Sequence, residues 1–289
     1  MSRLAEPLLR TFFIPPVSLL VLFLCNYKLK KMQGDKLFPV SVVIITKDEE
    51  KNIEDALKSV ADANEIIIVD SFSTDRTVEI CRSYTDKIFQ HKWQGFAGQK
   101  QLAVDYAAGP WVLLLDADER VTPDLKKEMA GKISPLSSLP SPHNYYGFYL
   151  PRKNFFLGKW IRHSGWWPDY TLRLFRKDKA ALEDREVHEK VIIDGPTAYL
   201  KHPLEHYTYR TVADFLRKME NYSTLAAAEI RKTSGVPGLF SVAVRPAFTF
   251  IKMFFFRLGF LDGAYGLLLA LLYSYYTFLK YVKAWEGEL

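Results

Sequence analysis

The feature of this sequence that most constrains its fold is a regular alternation, between residues 40 and 133, of short apolar runs with polar stretches of helical length. The apolar runs predict strands at Val40–Thr46, Glu65–Asp70, Lys87–Gln90 and Trp111–Asp116. The polar stretches predict helices at Asn52–Val60, Asp75–Tyr84, Gln99–Ala108 and Pro123–Ile133. Strands that are apolar on both faces and separated by helices form a parallel sheet covered on both sides. The sequence therefore predicts an α/β protein with a mostly parallel central sheet flanked by helices.

Acidic residues stand at the ends of three of these strands. Asp48 follows the first strand, Asp70 ends the second, and Asp116 and Asp118 follow the fourth as an Asp-x-Asp pair. Because parallel strands bring their carboxyl ends to one edge, these carboxylates are expected to lie close together. Their mutual repulsion favours a bound cation, and hard oxygen ligands suit Mg²⁺ or Mn²⁺. Such a metal would neutralise a diphosphate.

Asp75 has a structural alternative of its own. It lies in Ser-Thr-Asp-Arg-Thr just before a predicted helix, which is a typical N-cap sequence, so either a cap or a ligand is consistent with it. The chain holds no Gly-x-Gly-x-x-Gly and no P-loop sequence, so the classical dinucleotide and Walker sites are not supported.

The net charge of +6 is concentrated at the two ends of the chain. Residues 1–36 and residues 231–289 each carry +4, whereas the middle carries −2. A basic excess confined to apolar ends argues against a nucleic-acid groove and for a membrane face. Three segments are predicted: an apolar, basic membrane-associated segment (1–36), a catalytic domain (37–210) and a C-terminal helical region (211–289).

Both ends contain apolar runs that are short for a membrane-spanning helix. Thr11–Cys25 and Tyr265–Leu279 have 15 residues each, and a span needs about 20. The first run is expected to associate with the membrane, with a short spanning anchor as the alternative. The C-terminal run mixes Tyr and Trp with Lys and Arg, which suits helices in the headgroup region. A buried helical hairpin or a homo-oligomer interface is the alternative for these helices.

The part of the catalytic domain after residue 143 is rich in aromatic and basic residues. Trp166 and Trp167 alternate with arginines such as Arg173. Aromatic faces stack on sugars and arginines bind phosphate, so these three residues are candidates for binding a glycosylated, phosphorylated acceptor. Packing in the core is the alternative for each aromatic residue. Residues 37–133 and 143–210 would then be donor and acceptor halves.

Three motifs, SVVIITKDEE, EIIIVDSFSTDRT and WVLLLDADE, resemble the inverting family 2 glycosyltransferases of GT-A fold. The downstream FLGKWIRHSGWWPDYTLRLFRK, VHEKV and Leu-x-His-Tyr-x-Tyr segments resemble the lipopolysaccharide-core branch of that family, typified by a core-heptose glucosyltransferase. The resemblance implies a GT-A fold with C-terminal amphipathic helices, a UDP-sugar donor and a lipopolysaccharide-core or other glycolipid acceptor. It also implies a position on the cytoplasmic face of the bacterial inner membrane. The chain lacks the Gln-x-x-Arg-Trp of processive members, so one sugar per event is expected.

The resemblance also implies site residues. Those expected to bind the nucleotide sugar are Thr46, Asp48, Glu49, Asp70, Ser71, Asp75, Lys100 and Asp116. A divalent metal, Mn²⁺ or Mg²⁺, would be held by Asp118, with Asp116 and the late histidine His206 as further ligands and His188 as an alternative histidine.

An inverting transfer needs a base that takes the proton from the acceptor hydroxyl. Such a base is expected after the Asp-x-Asp pair, on the acceptor side. Glu189 in Val-His-Glu is the first candidate and Asp169 in Trp-Pro-Asp-Tyr the second, with Glu183 or Asp184 as lesser alternatives.

Two rival functions remain at this stage. LLLDADERV matches the spacing of a haloacid-dehalogenase-like phosphatase, in which Asp116 would be the nucleophile. That nucleophile normally ends the first strand of its domain, whereas two strand–helix units precede Asp116 here. The second rival is a membrane scaffold without catalytic activity.

Overall fold

The first half of the catalytic domain is a parallel α/β unit. The computed structural model describes residues 38–133, 145–183 and 190–286. The elements of this first half in chain order are β1 (Phe38–Thr46), α1 (Ile53–Ser59), β2 (Ala63–Asp70), α2 (Thr77–Arg82), β3 (Ile88–Gln90), α3 (Gly95–Tyr106), β4 (Trp111–Asp116), β5 (Glu119–Val121) and α4 (Pro123–Ile133). All four predicted strands and all four predicted helices are present, with α3 starting four residues earlier than expected.

The second half adds mostly short strands and then three long helical segments. The remaining elements are β6 (Gly147–Phe156), β7 (Lys159–Trp160), β8 (Asp169–Arg176), β9 (Ala180–Glu183), β10 (Lys190–Ile193), β11 (Thr197–Tyr199), β12 (Leu204–Tyr209), α5 (Val212–Ser234), α6 (Leu239–Ile251) and α7 (Ala264–Glu286). The apolar run at residues 11–25 and residues 134–144, between the two halves, lie outside the described residues.

A single ten-stranded sheet joins the two halves. Its main path runs β3–β2–β1–β4–β8–β6–β12–β5, and β7 and β11 pair with β6. The neighbours β3, β2, β1 and β4 are parallel, whereas β8 pairs antiparallel with both β4 and β6. Residues 38–133 and residues 145–209 therefore share one continuous sheet, which is the mixed α/β arrangement that the sequence predicted.

Both faces of the parallel half are buried. Val42 and Ile44 of β1 pack in one core cluster with α1 and α4, while Val43 faces a second cluster with Ala103 and Val104 of α3. This explains the apolar run Val42–Ile45 of β1, since side chains of both parities meet a layer of helices. A third cluster contains Phe156, Phe215 and Leu269 and joins the sheet to α5 and α7.

Candidate active site

The loops after β1 and β2 hold each other through hydrogen bonds between backbone and side chains. The register pairs Thr46 with Asp70, which places the two strand ends side by side. The Asp48 N–H donates to Ser73 Oγ at 2.9 Å, and the Thr74 N–H donates back to Asp48 Oδ1 at 2.7 Å. That second bond is the main reason why the pKa of Asp48 is lowered. The two loops therefore form one preorganised surface at the carboxyl edge of the sheet.

Asp70 is completely buried at the centre of that surface. Its carboxylate accepts hydrogen bonds from the Thr46 hydroxyl at 3.0 Å, the Ser73 N–H at 2.9 Å and the Gln90 amide at 3.0 Å. Ser71 is also buried and accepts a hydrogen bond from Gln99. These contacts support a role for Asp70 in shaping the loop.

The carboxylate of Asp75 ties the α2 end to the loop after β1. Oδ1 accepts from the Thr77 N–H at 3.0 Å, and Oδ2 accepts from the Glu50 N–H at 3.1 Å. Both oxygens are therefore engaged by the protein, which favours a structural role over a ligand role for Asp75, although the N-cap residue itself is Arg76.

Asp116 is enclosed by basic side chains. Lys100 Nζ lies 3.1 Å from its Oδ1, and Arg173 Nη2 donates to its Oδ2. The same Arg173 nitrogen lies 2.7 Å from Glu119 Oε1, and Glu119 Oε2 accepts from the Asp116 N–H at 2.9 Å. Burial alone would raise the pKa of Asp116, but the charges of Arg173 and Lys100 outweigh burial and hold this pKa far below its ordinary value.

Arg173 is thus a buried partner of the two acids that follow each other at the end of β4 and the start of β5. Its side chain is only 4% exposed, and its charge is shared between Asp116 and Glu119. These contacts favour a positioning role over the acceptor contact that the sequence predicted. The sequence did not predict Glu119, although it follows the Asp-x-Asp pair directly.

Asp118 faces a histidine and a lysine. Its Oδ2 lies 3.5 Å from His206 Nε2 and 3.6 Å from Lys218 Nζ. Burial acts to raise the pKa of Asp118, but the positive charge that His206 and Lys218 can carry lowers it to about 2. The antiparallel pairing of β12 with β5 sets His206 opposite Glu119, and the Tyr207 N–H donates to the Asp118 carbonyl. Lys218 of α5 was not predicted from the sequence.

Asn154 connects His206 to Asp169. Its Nδ2 donates to Asp169 Oδ2 at 3.0 Å and to the Trp166 carbonyl at 3.2 Å, so its Oδ1 is the atom that lies 2.6 Å from His206 Nδ1. A carbonyl oxygen can only accept, so His206 carries its proton on Nδ1 in this arrangement. In the neutral ring, the lone pair of Nε2 then faces Asp118.

Asp169, at the start of β8, lies beside Arg152. Arg152 donates to Asp169 Oδ2 from Nε at 3.0 Å and from Nη2 at 2.6 Å. Every hydrogen bond that Asp169 receives from the described residues goes to Oδ2, and none goes to Oδ1. The other base candidate, Glu189, lies outside the described residues, as do His188 and Asp184. The sequence signal for Arg152 and Asn154 was their i, i+2 spacing on one strand, which places both on the same face.

The two tryptophans proposed for the acceptor differ in their surroundings. Trp166 packs against Phe156, Tyr209 and Tyr273, with ring centroids 6.2 to 6.3 Å apart, so it lies in the third core cluster. Trp167 instead lies edge-on to Trp160, 5.4 Å away.

Cations surround the Trp160–Trp167 pair. Arg162 lies 4.3 Å and Lys153 4.9 Å from the Trp160 ring centroid. This aromatic and cationic surface has the chemistry for a sugar bearing an anionic group.

The donor atoms of Asp118 and His206 fit a divalent cation. Ligands at right angles on bonds of roughly 2.1 Å lie about 3 Å apart, close to the observed 3.5 Å. Nearby, burial and the charges of Asp118 and Asp116 raise the pKa of Glu49. Within residues 38–133, 145–183 and 190–286, however, no group of three or more His, Cys, Asp or Glu residues is placed to hold a metal ion. A cation here would need the donor diphosphate to complete its shell.

The family model for "Glycosyl transferase family 2" matches residues 41–207. The chain belongs to glycosyl transferase family 2. This membership overturns the phosphatase and the inactive-scaffold alternatives, and it agrees with the position of Asp116 at the end of an inner strand preceded by two strand–helix units.

Relatives match this family 2 glycosyltransferase over most of its length. The lipopolysaccharide core biosynthesis glycosyltransferase LpsC of Rhizobium meliloti (strain 1021) is 27% identical over 255 residues, which cover 86% of this chain and 92% of LpsC. An uncharacterised glycosyltransferase of Rickettsia bellii (strain RML369-C) is 28% identical over 262 residues, which cover 86% and 87% of the two chains.

Solved structures with a similar course of the chain include two glycosyltransferases. S. aureus TarS 1–349 in complex with UDP is 18% identical with a TM-score of 0.44, covering 86% of this chain and 91% of that one. The mannosyltransferase PcManGT of Pyrobaculum calidifontis, in complex with GDP-Man and Mn²⁺, is 16% identical with a TM-score of 0.45, covering 92% and 95%.

Proposed function

We propose that this family 2 glycosyltransferase transfers one hexose, with inversion, from a UDP-sugar to a lipopolysaccharide-core or related glycolipid acceptor. The observation that carries the proposal is the continuous series of contacts Asp118–His206–Asn154–Asp169. It links the proposed diphosphate end of the site to a carboxylate on the acceptor side. The acceptor class is supported by the similarity to LpsC and by the sequence resemblance, which also suggests the UDP-sugar.

Asp169 is the proposed general base. Arg152 and Asn154 hold its Oδ2, while Oδ1 receives no hydrogen bond from the described residues, so Oδ1 can take the proton of an acceptor hydroxyl. Trp167, two residues earlier, would stack on the acceptor sugar. Glu189 remains the alternative base.

Asp118 and His206 are the proposed metal ligands, with Mn²⁺ or Mg²⁺ as the ion. A nitrogen ligand beside the carboxylate favours Mn²⁺ over Mg²⁺. When bound, the cation would neutralise the charge that develops on the leaving diphosphate. Asn154 keeps the Nδ1 proton of His206 in place, so that Nε2 is free to act as a ligand. Lys100 and Arg173 set the position of Asp116 beside the proposed ribose and diphosphate site.

The enzyme is proposed to act at the cytoplasmic face of the inner membrane. A lipid-linked acceptor is presented at a membrane surface, and a UDP-sugar is a cytoplasmic metabolite. Peripheral attachment is proposed for residues 211–289, and the segment 1–36 is a proposed second anchor.

Calorimetry and a transfer assay test this function in two steps. UDP-, GDP-, ADP- and CMP-sugars are titrated with and without Mn²⁺, and binding of a UDP-sugar that depends on Mn²⁺ is expected. Transfer to purified core glycolipid is then measured for Asp169→Asn and Glu189→Gln, with Asp194→Asn as the matched control because Asp194 is an exposed acid of the same half. A 10²- to 10⁴-fold loss of kcat in Asp169→Asn with unchanged donor binding is expected. The same loss in Glu189→Gln alone would move the base to Glu189.

A further inference from the structure

The C-terminal helical hairpin, Leu239–Glu286, presents a continuous apolar surface to solvent. It consists of α6, a π-helical turn (Lys252–Phe256), a 3₁₀ turn (Gly259–Asp262) and α7. Exposed apolar residues recur on α6 at intervals of three or four: Phe240, Val244, Phe248, Ile251 and Phe255 at the start of the π-turn. A second series of exposed apolar residues has the same spacing on α7: Leu267, Leu271, Tyr275 and Phe278. Phe256, Leu258, Phe260 and Leu261 connect the two series, with Phe256 71% exposed.

The exposed charges of this hairpin are all basic up to Trp285. Asp262 is the only acid between Leu239 and Trp285, and it is buried. Arg245, Lys252 and Arg257 lie beside the apolar residues and are exposed. A two-fold contact with a second copy would bring these like charges together, whereas an anionic lipid surface complements them. The charge pattern therefore selects a membrane over a second copy of the chain as the occupant.

The turn of the hairpin is fastened to the catalytic domain, and the C-terminal end of α7 is fastened to α5. At the turn, the Ser164 N–H donates to the Arg257 carbonyl at 2.8 Å, and the His163 N–H donates to Asp262 Oδ2 at 2.8 Å. At the other end, Lys283 Nζ donates to Glu220 Oε1 at 2.7 Å and to Ser223 Oγ at 2.9 Å on α5.

Helix α6 also lies along α7. The Ser274 hydroxyl donates to the Pro246 carbonyl at 2.9 Å, and Arg245 donates to the Tyr281 hydroxyl at 2.8 Å. In the described part of the chain, Leu239–Phe256 is the one helical segment long and apolar enough to cross a membrane, with a mean hydropathy of 1.5. Crossing would require α6 to leave α7, because the hairpin is held at its turn and at the C-terminal end of α7. The contacts therefore favour a hairpin that lies flat.

We propose that this hairpin is a monotopic docking surface for an anionic bilayer, inserted to headgroup depth by its apolar residues and held by Arg245, Lys252 and Arg257. The proposal deepens the proposed function and rests on it only for what the docked position does. The loop at 162–164, which is hydrogen-bonded to the hairpin turn, leads directly to Trp167 and Asp169. Docking would thus hold the acceptor side of the active site at the surface that carries a glycolipid.

An environment-sensitive fluorophore on the hairpin tests the proposal in the full chain. With Cys25 replaced by serine, Phe248→Cys is labelled with nitrobenzoxadiazole, and Tyr199→Cys on β11 is the matched control because Tyr199 is an exposed aromatic residue of the catalytic domain. Vesicles of phosphatidylglycerol and phosphatidylethanolamine are compared with vesicles of phosphatidylcholine.

The expected result is a blue shift and a several-fold rise in emission at position 248 with the anionic vesicles only, quenched best by lipids spin-labelled near the headgroup, and no change at position 199. Three results would overturn the proposal. These are vesicle binding with no change at 248, quenching best by labels at the bilayer centre, and a change at 248 that follows protein concentration without vesicles.

A charge-reversal pair tests the role of the basic residues. Arg245→Glu with Lys252→Glu should lower the affinity for anionic vesicles at least tenfold in flotation, whereas Lys127→Glu with Lys132→Glu on α4 should leave it unchanged. Equal losses of vesicle affinity in the two double variants would refute the hairpin as the specific docking surface. Vesicle binding requires neither donor nor acceptor. UDP-sugar binding measured by calorimetry should be the same in the two labelled variants and in the two charge-reversal variants. A failure of docking and a failure of the proposed enzymatic function are therefore told apart.

Discussion

Asn154 Oδ1 lies 2.6 Å from His206 Nδ1, and because an amide oxygen only accepts, this contact places a proton on Nδ1 while Nε2 faces Asp118. The other half of the same amide is hydrogen-bonded to Asp169. One side chain therefore orients both a proposed metal ligand and the proposed base.

Asn154→Ala is expected to lower kcat and Mn²⁺ affinity together. The variant frees His206 to change tautomer and removes a hydrogen bond from Asp169, and losses of this kind are typically 10- to 100-fold. Asn154→Asp keeps an acceptor for His206 but sets a carboxylate against Asp169, so it should retain Mn²⁺ affinity and still lose turnover. Steady-state kinetics and Mn²⁺ titration measure the two effects. Equal Mn²⁺ affinity in Asn154→Ala and the unmodified protein would argue against the tautomer role.

Arg173→Met is expected to destabilise the fold by about 3 to 5 kcal/mol, because it leaves Asp116 and Glu119 without their buried partner. Urea unfolding followed by circular dichroism measures the change. Adding Glu119→Gln to Arg173→Met should recover part of the loss. A double variant less stable than Arg173→Met would contradict the assigned pairing.

Glu65 gives a pH-dependent contribution to stability. Although burial opposes the shift, hydrogen bonds from Lys87, the Ser41 hydroxyl (2.6 Å) and the Ala108 N–H (2.9 Å) lower the pKa of Glu65 below its ordinary 4.5. A lowered folded-state pKa means that this stabilisation is complete above the ordinary pKa and is lost as the pH falls through the folded-state value. Glu65→Gln should therefore reduce the free energy of unfolding at pH 7 and have a smaller effect at pH 3. An equal effect at both pH values would count against an ionised Glu65 as the source.

Gly266→Ala and Gly131→Ala are a matched pair of helix substitutions with opposite expected signs. A Cβ at Gly266 in α7 would lie 1.9 Å from the Gly259 carbonyl oxygen, whereas a Cβ at Gly131 in α4 meets no atom within 4 Å. Gly131→Ala should stabilise the protein by roughly 0.5 to 1 kcal/mol through helix propensity, and Gly266→Ala should lower the melting temperature. Thermal unfolding compares them, and similar shifts in both would refute the close approach at Gly266.

The parallel half of the fold was predictable because its signals are local. Buried strands such as β1 need apolar residues of both parities, and helix periodicity separates them clearly. The clustering of the strand-end acids was predictable because parallel strands bring their carboxyl ends to one edge of the sheet.

The contacts of the site were less predictable because they join residues far apart in sequence. Arg173 is 57 positions from Asp116, and His206 is 52 positions from Asn154. Nothing in the sequence distinguishes an arginine that binds a ligand from one that pairs with a buried acid. Trp166 and Trp167 likewise look equivalent in sequence, and only the fold sends one into the core and the other toward Trp160.

The pairing of β4 with β8 has a consequence for engineering acceptor specificity. Arg173 enters from β8 to hold Asp116 and Glu119, so the strand that carries Asp169 in the proposed acceptor half also completes the proposed donor half. Chimeras between relatives that exchange only the residues after 143 would import a foreign partner for these two acids. Grafts should therefore carry residues 116, 119 and 173 as one inherited set.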